Sequence, residues 1–284
     1  NGSYENAAEL EKLWNHKIPI SHGKNFVEAI FVSPVKALFI CNFNPAQSLP
    51  NLDEAHKSLK KTFLVSIASY PDKTTELADV VLPSPILPEC NGTITNGERR
   101  IRKLNLVSKT KLIPVWKIFK ELAVMLGKSK HFNYKNEREI FNEIVKAVPA
   151  YKNLDANKIY NGIDGWPDKK IKFKRFMPEK FEGIDDMRNK KYPFILITHR
   201  SKFQFLTGEM TSKSKTLMKM AEKPGFYINS KNAKQLGLKK GQNIIVSSPV
   251  SEIKNKIWID DNLPDKIIAA TFHSEKLLIN RLYP

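Results

Sequence analysis

Apolar residues in this chain fall into short dense runs separated by polar loops, and the texture of the runs changes near residue 190. Residues 1–34 read as irregular and helical, amphipathic over 7–14. The run Val35-Lys36-Ala37-Leu38-Phe39-Ile40-Cys41 reads as a mostly buried strand, with Cys41 a packing residue. Asn42-Phe43-Asn44-Pro45 ends it, because proline has no N–H to give to a ladder. A helix over 53–60, a second strand over 63–68 and a helical turn over 75–78 then lead to Val80-Val81-Leu82. Mainly apolar strands alternating with helices predict a parallel sheet covered on both faces.

Pro114 opens a helix at a position where its missing N–H does no harm, and Gly127 closes it. Trp116, Phe119, Leu122, Ala123 and Leu126 share one face, and Trp116, Phe119 and Leu122 read as core. Residues 137–148 repeat the pattern through Ile140, Phe141, Ile144 and Val145, with Glu137 and Glu139 on a solvated face. Residues 151–190 are lysine-rich, carry Asn161-Gly162 and Gly165-Trp166-Pro167, and keep no steady period, which marks a linker. Beyond it come strands at 193–198, 226–228, 244–246, 253–259 and 267–270. One short helix over 231–236 is interposed, capped by Ser230 and ended by Gly237. Several short strands with one small helix predict a closed β-barrel. The division is therefore an α/β domain over 1–150, a linker over 151–190 and a β-barrel domain over 191–284.

A length of 284 residues and 41% apolar composition support two cores of this kind. No apolar run approaches the roughly 18 residues of a membrane-spanning helix. The polar start does not resemble a signal peptide, and it reads as mid-protein, as in a piece of something longer. Cys41 and Cys90 lie far apart with no Cys-x-x-Cys or Cys/His cluster, which argues against an iron–sulfur cluster or structural zinc held by this chain alone. A reducing compartment fits such cysteine usage. The net charge of +18 comes from lysines spread along the chain. It reads as a solvated basic surface, as complementarity to an anionic cofactor or acidic partner subunit, or as a nucleic-acid footprint. No recognition helix or aromatic-basic module supports the last. No Ser/His/Asp set or paired carboxylates argue for hydrolysis.

The densest chemistry lies where Ala78-Asp79-Val80-Val81-Leu82-Pro83 gives way to Glu89-Cys90-Asn91-Gly92-Thr93-Ile94-Thr95-Asn96-Gly97-Glu98-Arg99-Arg100. A buried apolar run ending at a proline there delivers a polar loop suited to a long anionic ligand. Arg99 and Arg100 pair either with ligand phosphates or with Glu98 and neighbouring loops. Thr95 and Asn96 form either ligand contacts or an ordinary turn. Asp79 reads as support for the strand entry. His273, and likewise His199 with Arg200, is either a satisfied core group or part of a site.

These residues resemble the A-D-V-V-L-P…E-x-x-G-T-x-x-N-x-E-R-R signature of the molybdopterin oxidoreductases, in the version carried by formate dehydrogenase large subunits. Thr207-Gly208-Glu209-Met210-Thr211-Ser212-Lys213-Ser214 resembles that family's H-T-G-T-M-T-R-R-S loop. Residues 229–241 resemble its I-N-x-x-D-A-x-x-L-G-I-x-x-G-D element, and Phe272-His273 with Asn280 its closing P-F-H…N segment. The resemblance runs in order over essentially the whole chain. It implies an α/β domain followed by a six-stranded, double-psi-type barrel, both wrapping molybdopterin guanine dinucleotide with molybdenum or tungsten. The implied cofactor contacts are Asn44, Pro45, Gly92, Thr93, Asn96, Glu98, Arg99, Arg100, Arg200, Thr207, Gly208, Thr211, His273 and Asn280. Metal-ligating and cluster-binding residues lie upstream of the matched region in the family, so partners would be an N-terminal iron–sulfur region and other redox subunits. The implied location is cytoplasmic, on the cytoplasmic face of a membrane complex.

The chain also departs from the pattern. Phe43 stands where the family's G-E-N-P loop has glycine, and Ile67 and Ala68 stand where Gln-Asp binds guanine. Leu206 replaces the loop histidine, and Ser212-Lys213 replaces Arg-Arg, losing the guanidinium fork. Val250 or Ser251 stands where the barrel has a glycine. The departures imply a decayed pterin site kept as scaffold in an electron-transfer complex, as in the G-type large subunit of NADH–quinone oxidoreductase (respiratory complex I). The retained residues imply an active formate-dehydrogenase-type enzyme. A basic nucleic-acid-binding module is the third reading, and it predicts steeply salt-dependent binding.

Overall fold

The computed structural model describes residues 7–18, 23–167, 177–180 and 188–284. In chain order these form α1 (Ala7–Trp14), β1 (Ala37–Cys41), α2 (Pro45–Ser48), α3 (Leu52–Leu59), β2 (Phe63–Ala68) and β3 (Val80–Pro83). The hairpin of β4 (Gly92–Thr95) and β5 (Ile101–Leu104) precedes α4 (Val115–Met125), α5 (Glu137–Ala147) and α6 (Ala156–Tyr160). The remainder comprises β6 (Ile195–His199), α7 (Lys215–Met220), β7 (Phe226–Ile228), α8 (Ser230–Gln235), β8 (Asn243–Ser247), β9 (Glu252–Ile259) and β10 (Ile267–Thr271). Two compact units result, each drawn from two stretches of chain: 1–25 with 83–180, and 26–82 with 181–284.

The first unit is built on the antiparallel β4–β5 hairpin and helices α1, α4, α5 and α6. Its core is Ile101, Phe141 and Ile159, with Val145, Tyr151 and Leu154 against them. Asn136 caps α5 by accepting the Glu139 N–H (3.1 Å), and Asp155 caps α6 through the N–H groups of Asn157 and Lys158. Ile101 and Gly165 exchange two backbone hydrogen bonds of 2.8 and 2.9 Å. A side chain at 165 would press on Leu154 and Ile159 at 3.0 and 3.1 Å, so glycine lets the two backbones meet. The expected linker over 151–190 therefore begins as folded structure. Its turn-forming Asn161-Gly162 ends α6, and the following residues fasten to β5 rather than leaving the unit. The face of α4 is shallower than its periodicity suggests: Ala123 is buried, Trp116, Phe119 and Leu122 are half-buried, and Leu126 is 67% exposed. The described residues supply too little chain to cover it.

In the second unit β1 and β2 pair in parallel, Ala37 opposite Phe63 and Cys41 opposite Ile67, and β3 lies on the other side of β2. Leu64 to Ala68 of this central strand are buried, as a parallel strand between neighbours requires. Helices α2 and α3 lay Ala46, Leu49, Leu52, Ala55 and Leu59 against Ile40, Leu64 and Ile30. Among the described residues, both sheet faces are covered at β2 but not at the flanking strands. Phe63 is exposed at the very start of β2, and Phe39 on β1 and Val80 and Val81 on β3 are exposed because these are edge strands here. Cys41 is exposed for the same reason.

The second sheet runs β6-β10-β7-β9-β8, with β6∥β10 and β7∥β9 and the other two pairs antiparallel. Five strands are paired among the described residues, against six expected. Phe226, Ile228, Ile257, Ala270, Leu277 and Ile279 fill its interior. The expected Ser230 cap is displaced by one residue. Asn229 accepts the Asn232 N–H (2.8 Å) and also donates to the carbonyls of Leu263 and Pro264 (3.1 and 3.0 Å), which serine lacks an amide to do.

A C-terminal turn (Ile279–Leu282) fastens this sheet to α2 and α3. Asn280 Nδ2 donates to Ser48 O (2.7 Å) and Asn51 N to Tyr283 O (2.8 Å). Arg281 grips Asp53 with Nε and Nη2 at 2.9 and 3.2 Å, and Ser251 Oγ donates to the same carboxylate at 3.0 Å. The Arg281 hydrogen bond holds the Asp53 carboxyl below its ordinary range, with burial opposing it. A carboxyl lowered in this way contributes stability above its unfolded pKa, and that contribution is lost as pH falls through the folded value. The two side chains are 38% and 42% exposed, and solvent screening keeps such a pair to about 1 kcal/mol or less. Asp53→Asn is expected to lower stability by that order near pH 7 and by less near pH 3, measured by urea unfolding. An equal loss at both pH values would show that the clasp has no electrostatic part.

Candidate functional site

The second unit holds a polar cleft of about 200 Å³ lined by Asn44, Gln47, Asp72, Thr207, Gly208, Glu209, Lys213, His273 and Lys276 among others. Four short segments supply most of it, around 44–47, 71–72, 207–213 and 273–276. Asn44 precedes α2, with Pro45 at the first helical position, where its fixed φ suits a helix start. The side chain of Asn44 does not cap that helix. Its Oδ1 accepts from Thr74 Oγ1 (2.9 Å), which turns Nδ2 toward the Glu209 carboxylate. Gln47 donates to Thr207 O (3.1 Å) and so ties α2 to the loop after β6.

That loop is held by its own side chains. Thr207 Oγ1 donates to Glu209 Oε1 (2.5 Å), and Thr211 Oγ1 to Gln204 Oε1 (2.7 Å). Gly208 adopts φ +90°, and a Cβ there would stand 2.8 Å from the His273 carbonyl oxygen. Only glycine permits this approach. Asp72 accepts the N–H groups of Thr74 and Thr75 (2.9 and 2.8 Å) and starts the turn beneath Asn44. Burial, and the Glu209 carboxylate nearby, push the Asp72 carboxyl up, against the N–H groups that pull it down.

His273 is 7% exposed, and neither ring nitrogen has a hydrogen-bond partner among the described residues. Burial holds the imidazole below its ordinary pKa, with Glu222 pulling upward and His199 downward. It is therefore neutral near pH 7, with one nitrogen able to donate and the other to accept. A buried ring with both capacities unspent is costly unless something meets them.

Of the residues expected from sequence, Asn44, Thr207, Gly208 and His273 line this cleft, with Pro45 and Thr211 supporting it. Asn280 instead gives its amide to Ser48 O, and Arg200 stacks on Phe272 with 4.5 Å from guanidinium to ring centroid. Phe43 packs edge-on against Phe26, centroids 5.5 Å apart, and Ile67 and Ala68 are buried in the sheet.

Gly92, Thr93, Asn96, Glu98, Arg99 and Arg100 belong to the β4–β5 hairpin of the first unit. Asn96 Oδ1 accepts the N–H groups of Glu98 and Arg100, both at 3.0 Å, and Arg99 takes φ +62° to close the turn. Arg100 pairs with Asp164 (2.6 Å) and lies 5.4 Å from the Trp166 ring centroid. Within the chain, the partner of Arg100 is thus Asp164, far along the sequence, rather than Glu98. Sequence reasoning missed Glu209, Gln47, Asp72 and Thr74. Glu209 was visible as a carboxylate where the resembling loop has threonine; the others fall in stretches with no pattern of their own.

No group of three or more His, Cys, Asp or Glu among the described residues is placed to hold a metal. No helix among them is long and apolar enough to cross a membrane.

Comparison with known proteins divides the chain in sequence order, and the first match draws on both units. Residues 3–125 match the family model "Molybdopterin oxidoreductase", and residues 194–284 match "Molydopterin dinucleotide binding domain". The F420-dependent formate dehydrogenase subunit alpha of Methanocaldococcus jannaschii is 32% identical over 93% of this chain and 42% of its own length. Formate dehydrogenase H of Escherichia coli is 26% identical over 82% of the chain and 35% of its own. The assimilatory nitrate reductase catalytic subunit of Bacillus subtilis is 25% identical over 95% and 42%. The chain spans less than half the length of these curated relatives. Among solved structures, acetylene hydratase from Pelobacter acetylenicus shares the fold with a TM-score of 0.68 at 19% identity, over 87% of this chain and 38% of that one.

The close approach at Gly208 is testable without any ligand. Gly208→Ala places a Cβ against the His273 carbonyl in a left-handed backbone, and is expected to cost about 1–3 kcal/mol in chemical denaturation. A variant as stable as the parent would show that the loop is not pinned there.

Proposed function

The chain belongs to the molybdopterin oxidoreductase family, and from that premise we propose that it is the C-terminal part of a formate-dehydrogenase-type large subunit whose second-unit cleft cradles the pterin dinucleotide. The observation that carries this reading is His273, a neutral buried ring with two unpartnered nitrogens beside a glycine-walled cleft. Such a site fits a ligand that offers donors and acceptors together, as a nucleotide does. Gly208 would admit it close to backbone, His273 would orient it, and Lys213 and Lys276 would face its charge. Thr211 keeps the loop in shape through Gln204. By resemblance the hairpin residues Gly92, Thr93, Asn96, Glu98, Arg99 and Arg100 are cofactor contacts in the first unit. When bound, the pterin with its molybdenum or tungsten supplies the redox chemistry, and this chain supplies binding and orientation. Upstream chain would provide the metal ligand and iron–sulfur region, with partner redox subunits at a cytoplasmic location.

A second reading is favoured by one specific contact. Glu209 already satisfies Asn44 Nδ2 and Thr207 Oγ1. Together with Phe43, Ile67 and Ala68, this supports a scaffold with a lapsed cofactor site, in the manner of the G-type large subunit of NADH–quinone oxidoreductase.

Molybdenum, tungsten and pterin content of the native assembly separates the two. About one metal and two pterins per chain are expected from the family's cofactor load. Abundant iron with neither metal would overturn the cradle reading in favour of the scaffold. Formate oxidation with an artificial acceptor is the expected activity of a loaded assembly.

A further inference from the structure

The donors best placed to receive an anion in this cleft are held by an anion of the chain itself. Asn44 Nδ2 and Thr207 Oγ1 both donate to the Glu209 carboxylate. The arrangement is not a chance rotamer of a surface side chain. Thr74 Oγ1 donates to Asn44 Oδ1, so the amide cannot present its oxygen to the cleft without breaking that bond. Gln47 holds the Thr207 carbonyl, and the Gly208 backbone lies directly against that of His273. Both donors are therefore fixed in place, and both face one carboxylate. Hydrogen bonds to a charged acceptor are about twice as strong as neutral ones, so that carboxylate is not easily shed.

We propose that Glu209 decides what the cleft admits: a phosphorylated ligand gains Asn44 and Thr207 only by displacing the Glu209 carboxylate, an assignment that rests on the cradle reading above. The other charged or titratable groups lining the cleft are Asp72, Lys213, His273, Glu275 and Lys276. Lys213 and Lys276 attract an anion, but they are exposed, and water screens them. Asp72 is buried and spends its carboxylate on the N–H groups of Thr74 and Thr75. Glu275 is exposed on the rim. Glu209 alone among these combines negative charge with occupation of the two fixed donors. It acts as a selectivity element, weakening small anions and leaving the cleft to ligands whose further contacts, at His273 and Gly208, offset the displacement.

The test uses the complete protein, made in a host unable to synthesise pterin, and titrates it calorimetrically with inorganic pyrophosphate. Glu209→Gln keeps the shape and removes the charge; Glu209→Ala releases both donors. Pyrophosphate is expected to bind the Gln variant several-fold tighter than the parent and the Ala variant about tenfold tighter or more. Glu275→Gln, which removes a rim charge without freeing a donor, is expected to change affinity by less than about twofold. Unchanged affinity in both Glu209 variants, or an equal gain from Glu275→Gln, would overturn the assignment. Glu209→Gln carries the test if the Ala variant fails to fold. Unchanged titrations alongside a pterin-loaded native assembly would sink the role of Glu209 alone. Unchanged titrations alongside an assembly without pterin would sink the cradle reading with it.

Discussion

One short segment near the C-terminus is shared by two hydrophobic cores, and the second unit depends on that sharing. Leu277, Ile279 and Leu282 sit inside the mixed sheet, while Leu278 packs with the core beneath the parallel sheet. Outside a strand, where side chains alternate between faces of their own accord, such sharing needs the chain to change direction at one residue. Leu278 is that residue, at φ +45°, a left-handed conformation that costs a residue with a Cβ about 1–2 kcal/mol. Full burial of Leu277, Ile279 and Leu282 on one side, at about 1.5–3 kcal/mol per side chain, returns more than that, and half-buried Leu278 adds to it on the other. Asn280, Arg281 and Tyr283 then fasten the same turn to Ser48, Asp53 and Asn51.

The cleft is a consequence of this clasp. Helix α2 is only Pro45–Ser48, too short to hold itself in position, and Asn280 anchors its last residue. Asn44, one residue ahead of it, inherits that position. Thr74 then sets which end of the Asn44 amide faces the cleft, and Gln47 carries the same anchoring across to Thr207. A packing interaction thereby fixes the separation of two donors that local propensity would leave loose. Binding groups on loops achieve definite geometry in this way, through neighbours that lock their rotamers.

The strands and longer helices were legible because burial is periodic and punctuation is local. Ala37–Cys41 and Phe63–Ala68 are strands, Pro114 and Gly127 bracket α4, and Gly237 follows the end of α8, each for reasons confined to a few residues. The misjudged features depend on what lies beyond those residues. The Val80-Val81-Leu82 run reads as buried by composition, yet Val80 is 37% and Val81 48% exposed because no fourth strand lies beyond β3 in the sheet among the described residues. Residues 151–167 lack a period because they hold to β5 through two backbone bonds at Gly165 and two arginine pairs to Asp164, interactions with no sequence rhythm. Within the cleft, Gly208 and His273 stand out through family resemblance, whereas Glu209 shows in the sequence only as a carboxylate in place of threonine, and its meaning lies in which donors it meets.

Charge illustrates the same distinction between composition and place. A net charge of +18 invites a basic binding surface, yet the cleft mixes Lys213 and Lys276 with Asp72, Glu209 and Glu275. Exposed lysines raise the local concentration of anions but discriminate poorly, since screening flattens their field within about 10 Å. Discrimination comes from groups that are fixed and partly dehydrated, where a donor either has its acceptor or is left unpaired at a cost. In this cleft those groups are an asparagine amide and a threonine hydroxyl already paired, and a histidine not yet paired. A ligand that brought only negative charge would compete with Glu209 and leave His273 as it was. One that also brought a donor and an acceptor for the imidazole would gain where the folded chain has left a deficit.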